Sequence, residues 1–597
     1  MAERIVSPGV FTRERDLSFL PQGIAEIGAA IVGPTVKGPA FVPTMVSSFA
    51  EFEEMFGSTK KEIYTPYAVE QYLRSAGQVT IVRVLNTGGY SADFVQVMMS
   101  GSGVASSSGF VLAPSRGGSD GTVRLDKCSV TQGSAGSWSS FTLAVSGSNF
   151  GAKGVTNRSY NVSFNTSSAD FFENVFSKDA QVQKSGLNTV PVYLYKSFKH
   201  YASNFGSKGT ASTASLVSGS HSSVDFTNSS FNHASTPFIQ SQMINGSRYN
   251  LFKVNTRSHG SDVNNKLKIV IQAVKAAGTI AGSDYGSFSL QVRQTGLNDK
   301  GLTTDNVLEQ FDNLNFNPED ANYFSRRIGD RFVTIDADGK LTYNGDWDNR
   351  SKHIYVSDFT EIANGAIPKV LVPMGHAAIT NQTPGGNAIP TWSFKDSQLN
   401  SNGAPDVNVL YGHDYANADA NEYLSPLPNN AGAGLHVTMS LEDFNGTDSI
   451  KPSSETFSNA SEKVTLALSH IDQRKFVVPF QGGYDGDNPA NPKLSGADIV
   501  ATNTQGFDIS STSAGGYTAY KKGINAISNP DEFDINMLVV PGVIHNLHSS
   551  ITNHAIGKAE DRGDTFVILD CVKYGASISD ATSAIEALDS NYAATYY

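Results

Sequence analysis

Between two apolar runs that end at Pro541 and Asp570, the sequence places three histidines, His545, His548 and His554. Imidazoles serve as general bases and metal ligands, and α/β enzymes gather such groups at the ends of buried strands. A hydrolase built there would draw first on His545, Asp570 and the more distant Asp485. A metal site would need convergent ligands with a carboxylate among them. His545 and His548 stand three apart near a helix start, and no His-Glu-x-x-His pattern accompanies them. They read as ordinary helix histidines.

The other short motifs resolve into structure in the same way. Arg562-Gly563-Asp564 reads as a helix C-terminus, a glycine stop and a turn into the next strand. Gly33 and Gly38 have the spacing of a phosphate-binding loop, but Pro39 stands where the phosphate-binding lysine belongs. The acidic loops Asp336–Lys340 and Gly482–Pro489 lack the later ligands and terminal glutamate of a calcium loop. Asp485 and Asp487 keep a minor cation-binding reading open. No nucleophile elbow and no paired-carboxylate motif stands out. No catalytic residue, metal or cofactor is expected, and the Asn-x-Ser/Thr sequons read as chance in a chain rich in Asn and Ser.

These motifs must sit on elements, and the texture of the chain changes twice. Residues 24–94 alternate strand and helix. "IAEIGAAIVG" is a buried strand ending at Gly33-Pro34. "SSFAEFEEMFG" opens with Ser48 and Glu51 in capping-box spacing and stops at Gly57. In "TPYAVEQYLRSAG", Thr65 is the expected N-cap and Pro66 the first helical residue. Val69, Tyr72, Leu73 and Ala76 then form one face, and "QVTIVRVL" follows as a strand. From about 95 to 450, Ser, Gly, Asn and Thr dominate and short alternating runs recur, which predicts β-sandwich or barrel domains. "RFVTIDADGKLTYN" is a hairpin turning at Ala337-Asp338-Gly339. One helix is predicted over "TDNVLEQFDNL", and no fixed-period repeat is visible. From about 460 the alternation returns: "SEKVTLALSHID" helix, "KFVVPF" strand, "GGYTAYKKGINAIS" helix, "DINMLVV" strand, a helix through the histidines, "TFVILD" strand, "DATSAIEALDS" helix. The strands are continuously apolar, as in a parallel or mixed sheet covered on both faces.

The predicted fold class is therefore α+β and multidomain. A discontinuous α/β core is built from residues 24–94 and 459–597, with β-rich sandwich- or barrel-like domains inserted at 95–245 and 246–458. Residues 1–23 form an N-terminal arm. A chain of 597 residues has room for about four domains. Hydrophobic residues at 39% and charged residues at 17% place it among globular proteins. A formal charge of −12 argues against nucleic acid as the main partner. Cys128 and Cys571 are the only cysteines, so no disulfide framework holds the fold and a reducing compartment is expected. The first twenty residues lack the apolar core of a secretory leader, and no run approaches a membrane span.

Several phrases, in order, carry a resemblance: "SPGVF" (Ser7–Phe11), "GPTVKGPAFVPTMVSSFAEFEEMFG" (Gly33–Gly57), "AVEQYLRSAGQVTIVRV" (Ala68–Val84), "VLEQFDNLNFNPEDANYFSRRIGD" (Val307–Asp330), "GGYDG" (Gly482–Gly486) and "FDINMLVVPG…AEDRGDTFVILD" (Phe533–Asp570). The ordered set resembles the tail sheath proteins of contractile-tailed bacteriophages. The resemblance implies a structural subunit of the virion tail, made in the host bacterial cytoplasm, and not an enzyme. Such subunits stack as six-fold rings around a rigid tail tube. A baseplate trigger then lets the strained sheath shorten and widen, driving the tube through the host envelope. The expected partners are other sheath subunits, the tail tube protein and the baseplate. In this reading Leu538, Val539, Val540, Val567, Ile568 and Leu569 fill a sheet core. The arm candidate is Ile5–Phe11, with Val6, Val10 and Phe11 as anchors that add a strand to a neighbouring sheet. Family members continue past the "ATYY" at which this sequence stops, so the 597 residues are expected to be a fragment or the ordered part of a longer chain, and a chain truncated there is expected to be monomeric. Two other classes stay open: a surface adhesin using the β domains, and the hydrolase of His545, Asp570 and Asp485.

Overall fold

The computed structural model describes residues 28–596, apart from 88–93, 102–103, 115–123, 133–139, 149–156, 166, 178–191, 198–208, 218–230, 261–262, 295–305, 337, 378–438, 441–474, 481–482, 484, 487–497 and 587. The arm candidates Val6, Val10 and Phe11 and the helix expected over 461–472 lie outside the described residues, as does Asp487.

Along the chain, β1 (Ala29–Gly33), β2 (Thr44–Val46), α1 (Phe49–Phe56), α2 (Thr65–Leu73) and β3 (Val79–Arg83) come first. A first β region follows: β4 (Phe94–Gly101), β5 (Val104–Pro114), β6 (Arg124–Gln132), β7 (Phe141–Ser148), β8 (Asn157–Val162), the short α3 (Phe172–Val175), β9 (Val192–Ser197) and β10 (Gly209–Val217). A second holds β11 (His233–Ser235), β12 (Ile239–Ser241), β13 (Asn250–His259), β14 (Leu267–Lys275), β15 (Ser287–Gln294), β16 (Val307–Leu314), α4 (Phe324–Ile328), β17 (Phe332–Ile335), β18 (Leu341–Asn344), β19 (Ile354–Ser357), β20 (Pro373–His376), β21 (Met439–Ser440) and β22 (Phe476–Pro479). Last come β23 (Asn503–Thr504), β24 (Phe507–Asp508), α5 (Gly515–Asn525), β25 (Met537–Ile544), α6 (Ser549–Arg562), β26 (Phe566–Asp570), α7 (Ile578–Ile585) and β27 (Ala593–Tyr596). The chain is thus a mixed α/β protein of several sheets, with more strand than helix.

One six-stranded sheet takes strands from both ends of the sequence, in the order β2-β3-β1-β25-β26-β27. β1 pairs in parallel with both β3 and β25, Ala30 standing opposite Thr80 and Leu538. Its inner strands are mostly apolar, and β1 is buried on both faces along its whole length. Ala30, Val32, Val82, Leu538, Val540, Val567 and Leu569 face α5 and α6. Ala29, Ile31, Val79 and Ile81 face α1 and α2. Each fully buried Val, Leu or Ile contributes roughly 1.5–3 kcal/mol. Val539 and Ile568, expected in the core, are only half-buried. They lie on the α2 side, where α2 reaches across β1 toward β25 but not over β26.

Local chemistry sets the ends of these elements. Ser48 caps α1 by accepting the Glu51 N–H at 3.2 Å, while the Glu51 carboxylate takes the Ser47 N–H at 2.9 Å, one residue before the expected capping-box partner. Gly57 closes the helix at φ 87°. α2 starts one residue earlier than expected, with Tyr64 at the cap and Thr65 inside the helix. Gly563 ends α6 in the left-handed region at φ 75°, and Ser577 and Asp580 form a full capping box on α7. The hairpin β17–β18 forms as expected, Asp336 accepting the Asp338 and Lys340 N–H groups at 3.0 and 2.8 Å.

Three expectations are corrected, and one strand is added. "VLEQFDNL" is the edge strand β16, not a helix, paired along one side with β15. Its Val307 and Leu308 are exposed and only Leu314 is buried, so tertiary pairing overrides a helical spacing of apolar residues. "KFVVPF" supplies β22, which pairs with β14 of the second β region and not with the α/β sheet. β25 does not stop at Pro541 but continues to Ile544 through an irregularity at Gly542, φ 79°. Beyond α7, the run "AATY" adds β27 in parallel as an edge strand.

α5 lies close on the sheet because Gly523 has no side chain: a Cβ there would stand 3.0 Å from Val32 Cγ1 and 3.1 Å from Val84 Cγ2. Gly523→Leu is expected to cost about 1–3 kcal/mol by overpacking, read from the urea midpoint. An unchanged midpoint would mean that α5 does not seat on β1 and β3.

Candidate functional site

The carboxyl ends of β25, β26 and β27 open into a groove of about 930 Å³ between α2 and the segment after β26. Tyr64, Tyr67, Pro541, Asp570, Tyr574 and Tyr596 are among its lining residues. This is where the suspected residues should converge, and they do not. His545 turns its Nδ1 to Thr552 Oγ1 at 2.8 Å, and meets Asp570 only through a backbone bond, N–H to O at 2.7 Å. His548 Nδ1 accepts the Ile544 N–H at 3.1 Å, which leaves Nε2 to donate to Val500 O at 3.0 Å. His554 Nε2 pairs with Asn525 Oδ1 at 2.7 Å, and Asn525 Nδ2 donates to Asp338 O at 2.7 Å, tying α6, α5 and the β17–β18 turn together.

Burial lowers the basicity of all three histidines, and for His554, with Lys521 and Lys558 adding to it, to about 4. Partial burial raises the Asp570 carboxyl against a hydrogen bond from the Gly542 N–H. Among the described residues, no group of three or more His, Cys, Asp or Glu could hold a metal. The Arg562 side chain is buried, donating to Ile527 O and Phe533 O at 2.8 Å each and to Asp564, so the Arg-Gly-Asp run is a helix stop. Cys128 and Cys571 are free thiols.

Gln505 organises the rim of the groove. Its Oε1 accepts the Tyr64 N–H at 2.8 Å, and its Nε2 donates to Pro541 O at 2.9 Å and to Tyr520 Oη at 3.3 Å. One buried amide thereby links the start of α2, the kink of β25 and α5.

A second constellation lies where the α/β sheet meets the second β region. Arg83, at the end of β3, is 3% exposed. Its Nη1 donates to Gly38 O at 2.6 Å and to His259 O at 2.8 Å. The Gly38 N–H reaches Ser258 Oγ at 2.8 Å, and the Ala40 N–H reaches His259 Nδ1 at 3.1 Å. Gly38 and Gly260 sit at φ 112° and 122°. A side chain on Gly38 would collide with Phe56, and one on Gly260 would overlap the Asp485 carboxylate. Asp485 therefore stands at this junction and not with His545. A guanidinium held by carbonyl oxygens fixes backbone and keeps its proton, so this cluster can join and orient segments. Beside it, a cavity of about 480 Å³ is lined by His233, His259, Arg257, Phe332 and Tyr355.

Sequence reasoning missed Arg83, His259 and Gln505. A single charge in the apolar run "VTIVRVL" was the available signal for Arg83. Nothing in the sequence pairs Gln505 with Tyr64 across 441 positions.

No protein-family model and no curated protein sequence matches this chain.

His259 makes the junction acid-sensitive. Burial, with the charges of His233 and Arg83 adding to it, pulls its pKa down to about 3. The unfolded histidine takes up a proton below about 6.5, so stability is full above that pH and declines as pH falls toward 3. Urea midpoints between pH 7 and 4 are expected to fall more gently in His259→Asn, whose amide oxygen can accept the Ala40 N–H without titrating. Parallel pH profiles for the two proteins would remove His259 from the account.

Proposed function

We propose that this chain is a structural subunit of a phage contractile tail sheath. It assembles with copies of itself in six-fold rings around a tail tube and works by rigid-body rearrangement, without bond chemistry. What supports the reading most is where the resembling phrases fall. "GPTVKGPAF" and "QVTIVRV" meet "GGYDG" at the Arg83–Gly260–Asp485 junction. "FDINMLVVPG" and "TFVILD" supply β25 and β26 of the sheet that β1 and β3 complete. Residues far apart in sequence thus belong to one scaffold. In this reading the scaffold is a discontinuous α/β core, and the β regions between its halves are domains inserted toward the outside. A machine that moves its subunits as bodies needs such a dense core, with insertions that leave it intact.

The sheet also offers edges. Its outer strands are β2 and β27. Met45 is 62% exposed and Tyr596 is 70% exposed. An extended arm from a neighbour, anchored by Val6, Val10 and Phe11, would add a strand there. The tail tube and the baseplate are the remaining partners of the proposal, the virion tail its location and the host bacterial cytoplasm its place of synthesis.

Negative-stain electron microscopy of the gene product, alone and with the tail tube protein, tests the reading. Long hollow tubes are expected. Changing Val6, Val10 and Phe11 together to Ser should abolish them while shifting unfolding free energy by no more than about 0.5 kcal/mol, as for surface positions. Failure to assemble at high concentration with the tube protein present would sink the sheath reading.

A further inference from the structure

The two β regions share more than a class of fold. In the first, one sheet runs β10-β4-β5-β9; in the second, β20, β12, β13 and β19 pair in the same order, all antiparallel. The second sheet of each is a meander, β6-β7-β8 and β14-β15-β16, followed by a short helix, α3 and α4. Eight elements thus correspond in chain order and in partner.

Sandwich architecture alone could produce that order. It does not require the same turn chemistry. After β8, the Ser163 N–H donates to Asp170 O at 2.7 Å and the Phe172 N–H to Ser163 O at 3.1 Å. After β16, the Asn315 N–H donates to Asn322 O at 3.1 Å and the Phe324 N–H to Asn315 O at 3.0 Å. Side-chain oxygens on Ser163, Asn165 and Ser168 each accept the N–H two residues on, at 3.0, 3.0 and 3.2 Å. Those on Asn315, Asn317 and Asp320 do the same, at 3.1, 3.2 and 2.8 Å.

Nor does it require the same core. Phe110, Phe141, Phe164 and Phe172 correspond to Phe252, Phe288, Phe316 and Phe324. Phe110 meets Phe172 at 4.7 Å and Phe252 meets Phe324 at 4.9 Å; Phe141 meets Phe164, and Phe288 meets Phe316, both at 5.3 Å. Phe141 stands opposite Val162, and Phe288 opposite Leu314.

The second region adds β11, β21 and β22 at the margins of its sheets, and between the shared elements the two differ most in one connection. Ser177 O accepts the Leu194 N–H at 2.7 Å, and Gly329 O accepts the Val356 N–H at 3.0 Å, so the registers rejoin there. Between those points the second region has residues 330–355, ten more than residues 178–193 of the first. The longer connection holds β17–β18. Leu341, Val333 and Ile335 of that hairpin pack into the core beneath α5, and Asn525 bonds its turn.

We infer that the two β regions are copies of one ancestral module, and that β17–β18 is an insertion through which the second copy grips the α/β sheet. Two changes in the full chain test this by hydrogen exchange. The first replaces residues 164–177 with the sequence of residues 316–329. Amides of β7, β8 and β9 are expected to keep protection within a factor of about three of the parent, while a scrambled version of the same residues abolishes it. Equal loss in graft and scramble would overturn the duplication. The second deletes residues 334–343, giving the second copy the connection length of the first. Protection in β14, β15, β16 and α4 is expected to persist while the Asn525 end of α5 exchanges about tenfold faster or more. Loss of protection through β14–β16 would make the hairpin part of the module's own fold, and an unchanged α5 would mean that it grips nothing; either result overturns the insertion.

Discussion

A buried guanidinium stands where separated stretches of chain meet, and the seating of the α/β sheet against the second β region depends on it. Arg83 ends a strand of the α/β sheet, yet its Nη1 is shared between Gly38 O and His259 O. A buried charge is tolerated only when its donors are matched, and removing its acceptors would leave a penalty of several kcal/mol. The chain turns there through Gly38 and Gly260 at positive φ, where a side chain would meet Phe56 or the Asp485 carboxylate. The cost of misplacing Arg83 therefore falls on the loop after β1 and the end of β13 at once. Arg83 thereby ties the sheet to the second β region, beside the β17–β18 hairpin held by Asn525.

The sheet itself tolerates a large interruption for a different reason. β1 lies between β3 and β25 and is wholly buried, so its pairing is rewarded on both edges and both faces. The entropy of closing a loop grows only logarithmically, about 0.6 kcal/mol for each doubling of length. Moving from a short βαβ crossover to one that encloses both β regions costs a few kcal/mol at most. Burial of Ala30, Val32, Leu538 and Val540 more than offsets that. A β region lying in the chain between β3 and α5 is then nearly free to double, provided that its ends return to the same junction.

Histidines beside strand ends invite a catalytic reading, and the polar groups here are bound otherwise. His548 spends both ring nitrogens on backbone, His545 turns to Thr552, and Gln505 makes three bonds that shape the Pro541–Gly542 kink. Thr504 Oγ1 adds a bond to Gly542 O. The kink would otherwise expose unpaired carbonyls inside the protein, and these side chains complete the hydrogen bonding that β25 abandons there.

The inner strands β1, β3, β25 and β26 and the helices packed on them were legible because each is decided locally, whereas the edge strands β2 and β27 were not. Continuous apolar runs mark strands buried on both faces, and Ser48, Gly57 and Gly563 mark helix ends. β16 was not legible, since its apolar residues fall at helical spacing and only its partner β15 makes it a strand. β22 was read as a strand but placed in the wrong sheet, because "KFVVPF" suits any buried position and only pairing with β14 decides. The junction was hidden for the same reason: Arg83, His259 and Asp485 acquire meaning only when three distant segments are brought together. The likeness of the two β regions lies deepest. What the copies share is a set of short side-chain acceptors and four phenylalanines, and Ser, Asn and Asp accept the same backbone N–H equally well. Ser163 against Asn315, or Ser168 against Asp320, is a mismatch in letters and a match in hydrogen bonds. A comparison of residue types passes over such a repeat, whereas a comparison of donors and acceptors finds it.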